Sequence, residues 1–336
     1  MKRAQAIYHQ AIRSVAVGET DVPMPRSGEL LIKTRYSAIS SSHECRLFRG
    51  EVAANASSGR LLYPLKSGHA LVGEVIDTGS RQDGDWIGKQ VFAYHPHQSY
   101  VVLEPKDCVR IPAQTPLERA LFLASMESAL TILADIEPAL GERVMVFGLD
   151  IVGLLITALL GQHPLAELIT ADPATLLREK SLELGAGLAI DPQDQRALAA
   201  LRDCLFHGGS DGLDVVVDLS GRMNALNQAI QLAGTSARVV IASRYGQGSE
   251  PFNLDDTLLD KRIRLISSVS RPHTSRCGGG RWNRERRVQQ AWDWLARVQP
   301  EQLISHRYAL AACQEAFDVL GNRPSQTAMQ VIFRYE

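Results

Sequence analysis

Between residues 143 and 266 the sequence alternates short apolar runs with stretches whose apolar residues recur at helical spacing. Strands are predicted over 143–147, 167–171, 187–190, 215–219, 238–242 and 262–267, and helices over 151–160, 174–184, 195–204 and 224–232. This alternation predicts parallel strands joined by right-handed crossovers, because a parallel pair needs a connection long enough to return across the sheet. Such a doubly wound sheet opens a ligand crevice at the carboxyl ends of its strands.

The first strand of the run, Val144-Met145-Val146-Phe147, leads into Gly148-Leu149-Asp150-Ile151-Val152-Gly153 and then an apolar helix. That is the context a GxGxxG dinucleotide fingerprint requires. Gly148 suits the tight turn and Gly153 the close packing of helix on strand. Asp150 stands where a second glycine would let backbone approach a pyrophosphate. A carboxylate there adds bulk and like charge at a helix start otherwise suited to anions, so it should weaken cofactor binding unless it turns outward. Alone, the turn reads equally well as an ordinary strand-to-helix connection. The next strand, however, ends at Asp172, nineteen residues after Gly153, where a carboxylate can accept hydrogen bonds from ribose hydroxyls and so favours NAD. Arg178, close by, keeps NADP as the alternative. Ser220, Ser243 and Arg244, at the ends of later strands, complete the candidate cofactor contacts.

Outside this run the pattern changes. Residues 5–112 read as a mainly β region, with strands at 29–36, 70–78, 89–93 and 99–103 set between Gly, Pro, Ser and Asp. A helix is predicted over 117–136. The last seventy residues or so are mixed: a loop at Gly278-Gly279-Gly280, a long helix through Trp292 and Trp294, and a closing strand over 328–335. A chain of 336 residues fits two domains. With 45% apolar residues and a net charge of -1, neither disorder nor nucleic-acid binding is expected. The one dense basic cluster, Arg281, Arg284, Arg286 and Arg287, reads as a solvated helix face. Five scattered cysteines with no CxxC pair argue against a disulfide framework and against a structural zinc lobe. No stretch has the composition of a signal peptide or the ~18 apolar residues of a membrane span, so no membrane partner is expected and the location is read as cytoplasmic.

Two further segments, Gly68-His69-Ala70-Leu71-Val72-Gly73-Glu74-Val75 and Gly84-Asp85-Trp86-Ile87-Gly88-Lys89-Gln90-Val91-Phe92, join the glycine turn in a pattern that resembles the medium-chain dehydrogenase/reductase superfamily over essentially the whole chain. Ser37-Ala38-Ile39-Ser40-Ser41-Ser42-His43-Glu44 with Phe48-Arg49-Gly50 is similar to the branch of bacteriochlorophyllide-type hydroxyethyl dehydrogenases and sugar or polyol dehydrogenases. The resemblance implies an α/β fold: a GroES-like β domain from residues 1–128 completed by 269–336, with a doubly wound, parallel-sheet Rossmann domain over 129–268. It also implies a nicotinamide cofactor, a small-molecule substrate and a homodimer.

Zinc members of the superfamily carry a cysteine where Ser40 stands, a histidine at His69 and a glutamate where Ala70 stands; sorbitol-type members add a glutamate that would fall on Glu127. With serine and alanine at two of these places, zinc is not expected, since catalytic zinc needs about three protein ligands. A rebuilt set of Glu44, His69 and Glu127, or one using His43, is the alternative. Without zinc, Ser40, Ser42, His43 and His69 are the candidates for the alcohol oxygen and its proton, with Glu127 orienting a histidine. Tyr94 is a weaker candidate, and His95 and His97 read as a surface turn. The expected activity is hydride transfer between nicotinamide and a secondary alcohol or carbonyl. The alternatives are a zinc-independent reductase of activated double bonds and a non-catalytic protein that keeps the dinucleotide fold. Loops 52–62 and 272–282 are expected to wall the substrate cleft.

Overall fold

The computed structural model describes residues 2–51, 63–207, 211–245, 251–253, 256–269, 283–321 and 327–336. The expected cleft loops 52–62 and 272–282, with the glycine run at 278–280 and Arg281, lie outside the described residues. The chain divides into two compact units, one of Met1–Ala124 with Trp292–Glu336 and one of Ser125–Ala291.

The second unit is built on a six-stranded, wholly parallel sheet. Across it the strands run Leu188–Ile190, Glu167–Ala171, Arg143–Phe147, Leu213–Asp218, Ala233–Ile241 and Arg264–Ser267. In order of appearance this is 3-2-1-4-5-6, so the winding direction reverses between Arg143–Phe147 and Leu213–Asp218. The central strands carry nearly continuous Val, Ile, Met and Phe because both their faces are covered. Met145, Phe147, Ile169, Val216 and Val239 pack with Leu226, Ala229 and Ile230 of the helix Met223–Leu232 in one core. The helix Ile151–Leu160 is buried at every position but Val152, as expected for a helix apolar all round.

The first unit is mainly β. A long hairpin, Lys2–Ala11 with Ser14–Val22, pairs with the short strand Leu65–Lys66. A second sheet runs Ile304–Ala309, Gln330–Arg334, Leu30–Ala38, Ala70–Thr78, Gln90–Ala93 and Cys108–Arg110, with Tyr100–Leu103 also paired to Leu30–Ala38. Phe48, Phe317 and Phe333 pack together in one of its apolar clusters. The C-terminal strands therefore complete a sheet begun by the N-terminal ones.

Candidate active site

Three strand ends meet at the switch point of the parallel sheet. Gly148 has φ +88°, and a Cβ there would lie 2.7 Å from the backbone nitrogen of Ser220. A Cβ on Gly153 would fall 2.1 Å from the Gly148 carbonyl oxygen, so only glycine lets the helix Ile151–Leu160 sit this close to the turn. The Ser220 loop packs in turn on the next one: a Cβ on Gly221 would approach Ser243 Oγ at 2.8 Å and the Arg244 carbonyl at 2.9 Å. Ser220 donates from both N and Oγ to Asp218 Oδ1, at 2.9 and 2.6 Å, and Tyr245 donates to Asp218 Oδ2. Gly148, Gly153, Ser220, Ser243 and Arg244 are thus brought together as a stack of turns.

Two carboxylates occupy the donors of this turn. Asp150 begins the helix in extended conformation, and its Oδ1 accepts from the backbone N–H of Val152 at 3.1 Å and Gly153 at 3.2 Å. Asp172 accepts from Leu149 N–H at 2.9 Å through Oδ2 and from Ala174 N–H at 2.8 Å through Oδ1. Burial pushes the Asp172 carboxyl above its usual range, opposed by these two bonds, and the charge of Asp150 adds to the rise. Each carboxylate oxygen has two lone pairs, so Asp172 keeps acceptor capacity for a ribose hydroxyl. Arg178 is fixed over the same corner, donating to the carbonyls of Asp172 and Pro173 at 2.7 and 2.9 Å and to Thr175 Oγ1 at 3.1 Å.

In the β unit, Ser40, Ser42, His43, Glu44 and His69 converge. Ser40 Oγ lies 3.3 Å from Ser42 Oγ and accepts from His43 N–H at 3.2 Å; Ser40 N–H donates to Glu44 Oε1 at 3.0 Å. Glu44 is fully buried at the start of the short helix Glu44–Phe48. His69 Nδ1 is 3.4 Å from its Oε1, and His97 Nε2 is 2.7 Å from its Oε2. Burial pushes the Glu44 carboxyl up, but the charge of His97 and the hydrogen bonds from both histidines more than offset this and hold it well below the usual carboxylate range. His97 Nδ1 in turn meets Ser37 Oγ at 2.7 Å, which meets Tyr335 Oη at 2.9 Å.

His97 corrects the sequence expectation of a surface turn, for it is 0% exposed. The signal was present in the apolar strands on either side of Tyr94-His95-Pro96-His97-Gln98, but its partner, Glu44, is 53 residues away. Arg287 corrects another expectation. Arg284 and Arg286 are exposed as a solvated helix face should be, whereas Arg287 is buried and donates from Nε to Glu127 Oε1 at 3.3 Å. The carboxylate that holds histidines here is Glu44, and Glu127 faces a guanidinium.

These residues do not match a zinc set. Serine stands in place of the thiolate, both oxygens of Glu44 already accept hydrogen bonds, and Glu127 is paired with Arg287. Among the described residues no group of three or more His, Cys, Asp or Glu could hold a metal ion.

Solved structures of other proteins share this fold over their full length. A protein from Sinorhizobium meliloti named as a zinc-binding dehydrogenase and bound to NADP matches with a TM-score of 0.79 and 18% identity over 100% of both chains. An alcohol dehydrogenase from Escherichia coli complexed with NADH matches with a TM-score of 0.78 and 20% identity over 99% of both. The fold is therefore that of the two-domain oxidoreductases, GroES-like plus Rossmann. The sequence profile of the Zinc-binding dehydrogenase family matches residues 152–296. L-threonine 3-dehydrogenase of Pyrococcus abyssi is 26% identical over 70% of this chain and 74% of its own. Starvation-sensing protein RspB of Escherichia coli is 23% identical over 90% of this chain and 91% of its own. Residues 152–296 thus carry the Zinc-binding dehydrogenase family pattern, and the chain as a whole is similar to alcohol dehydrogenase-like oxidoreductases of the medium-chain dehydrogenase/reductase superfamily.

Proposed function

We propose that this oxidoreductase transfers a hydride between a nicotinamide dinucleotide and a secondary alcohol or carbonyl, without catalytic zinc. The observation that carries the reading is the glycine turn at the switch point, with Gly148 against Ser220 and Gly153 against Gly148, which only a close backbone approach requires. When bound, the nicotinamide supplies the hydride acceptor or donor, and the protein orients it and handles the alcohol proton. Asp172 is the proposed acceptor for the adenosine ribose hydroxyls, which favours NAD. Arg178, fixed beside it, is the residue that would turn the site towards NADP.

Half-buried His69 is the proposed group that holds or takes the substrate proton, with Glu44 fixing its ring and Ser40 and Ser42 supplying hydroxyls nearby. Glu127 and Arg287 are assigned a structural pair in the other unit. The cytoplasmic homodimer remains part of the proposal. The strand Arg264–Ser267 closes the parallel sheet with exposed Arg264 and Leu265, which suits pairing with a second copy.

Titration of metal-free protein with NADH and NADPH, followed by fluorescence, tests the reading. Saturable binding, tighter for NADH, is expected, and Asp172→Ser should lower the NADH preference several-fold. Absence of a signal for either cofactor would leave a non-catalytic protein of the same fold. Reduction of an activated alkene but of no carbonyl would point instead to the double-bond reductases.

A further inference from the structure

In a dinucleotide-binding turn of this geometry, the amides that open the helix are the donors a diphosphate would take. Here two of them are already taken. Val152 and Gly153 donate to Asp150 Oδ1, and Leu149, just before the helix, donates to Asp172 Oδ2, so three donors of the turn end on the chain's own carboxylates. Asp194 makes the same kind of cap on the helix Gln195–Phe206, accepting from Arg196 and Ala197 N–H at 2.9 and 3.2 Å. That helix follows the edge strand Leu188–Ile190, away from the switch point. The Asp150 cap lies on the turn packed against Ser220, and it adds a negative charge close enough to raise the Asp172 carboxyl.

We propose that Asp150 is an internal competitor for the cofactor's diphosphate, so that a dinucleotide binds by displacing its carboxylate from the amides of Val152 and Gly153. This rests on the dinucleotide reading above and specifies what limits affinity at that site. A diphosphate cannot share those N–H groups with a carboxylate, because each donor is single and the two anions repel. Binding therefore needs the Asp150 side chain to rotate outward, which uncaps the helix unless the phosphate replaces the cap. Stability of the free chain and affinity for the ligand are thus set against each other at one residue.

The substitutions Asp150→Gly and Asp150→Asn separate the two effects. Glycine frees the amides and removes the charge; asparagine keeps a capping oxygen without the charge, and both are acceptable at an N-cap. NADH, ADP-ribose and adenosine are titrated into the full chain by calorimetry, with a thermal melt of each ligand-free protein. Asp150→Gly is expected to bind NADH and ADP-ribose at least tenfold tighter than the wild type, with adenosine unchanged and a slightly lower melting temperature. Asp150→Asn should fall between. Wild-type binding of ADP-ribose with equal or weaker affinity in both variants overturns the competition and leaves the dinucleotide reading intact. A gain of the same size for adenosine overturns it too, since that ligand has no diphosphate. No binding of NADH or ADP-ribose by any of the three proteins overturns both.

Discussion

His9 lies fully buried on the strand Lys2–Ala11, edge-on to Phe317 at 5.1 Å and Phe48 at 6.3 Å, and neither ring nitrogen has a hydrogen-bond partner among the described residues. Burial lowers its pKa from 6.5 to about 4; Glu44 opposes the change, and His97 and His43 add to it. Below pH 6.5 the unfolded chain binds a proton that the folded chain refuses, so this contribution is complete above 6.5 and is lost as the pH falls towards 4. His9→Leu keeps an apolar group in place, and its melting temperature should fall less between pH 7 and pH 5 than the wild type's. Parallel slopes in the two sets of melts would count against the assignment. At a second buried basic residue, Arg287→Met removes the guanidinium facing Glu127 and is expected to cost about 3 kcal/mol in urea unfolding. A loss below about 1 kcal/mol would place the pair among those worth little. Neither residue was legible beforehand, since burial of a lone His or Arg depends on partners distant in sequence.

The elements nearest the glycine turn match their sequence reading closely. The helix Ile151–Leu160 and the strand Glu167–Ala171 fall where periodicity placed them, because apolar runs bounded by glycine and a charged residue leave little freedom at their ends. Elsewhere local signals failed. The hairpin of Lys2–Ala11 and Ser14–Val22 turns at Arg13, which takes φ +58° without the glycine or asparagine that marks such a turn. The single helix expected over 117–136 is two, Leu117–Ala120 and Leu123–Ile136. The strand expected over 238–242 begins earlier, as Ala233–Ile241. At the turn itself, Gly153→Ala would drive a Cβ into the Gly148 carbonyl, forcing the helix off the strand. It should destabilise the protein by about 1–3 kcal/mol and weaken NADH binding together. Full stability with unchanged affinity would show that the close approach is dispensable.

Across the molecule, Ser40 and Ala70 remove two of the usual zinc ligands, and the groups of the rebuilt set already have partners, His69 and Glu44 in the β unit and Glu127 in the parallel-sheet unit. Purified protein should therefore carry well under one zinc per chain by elemental analysis, and prolonged chelation should leave its melting temperature and NADH affinity unchanged. Stoichiometric metal, or loss of either property on chelation, would return Glu44, His69 and Glu127 to a ligand set.

The order of β and α segments, the glycine turn and the histidine at 69 are local patterns, and local patterns are what a sequence carries. Propensity and periodicity therefore indicated the parallel sheet and the crevice at its strand ends, while motif resemblance pointed to the superfamily. Which donors remain open at that switch point is a different kind of fact. The hold of Asp172 on Leu149, the hold of Glu44 on His69 and His97, and the burial of Arg287 against Glu127 each depend on the rotamer and burial of partners that only chain folding brings within 3.5 Å. Hydrogen bonds are short-ranged and directional, so tertiary packing decided them.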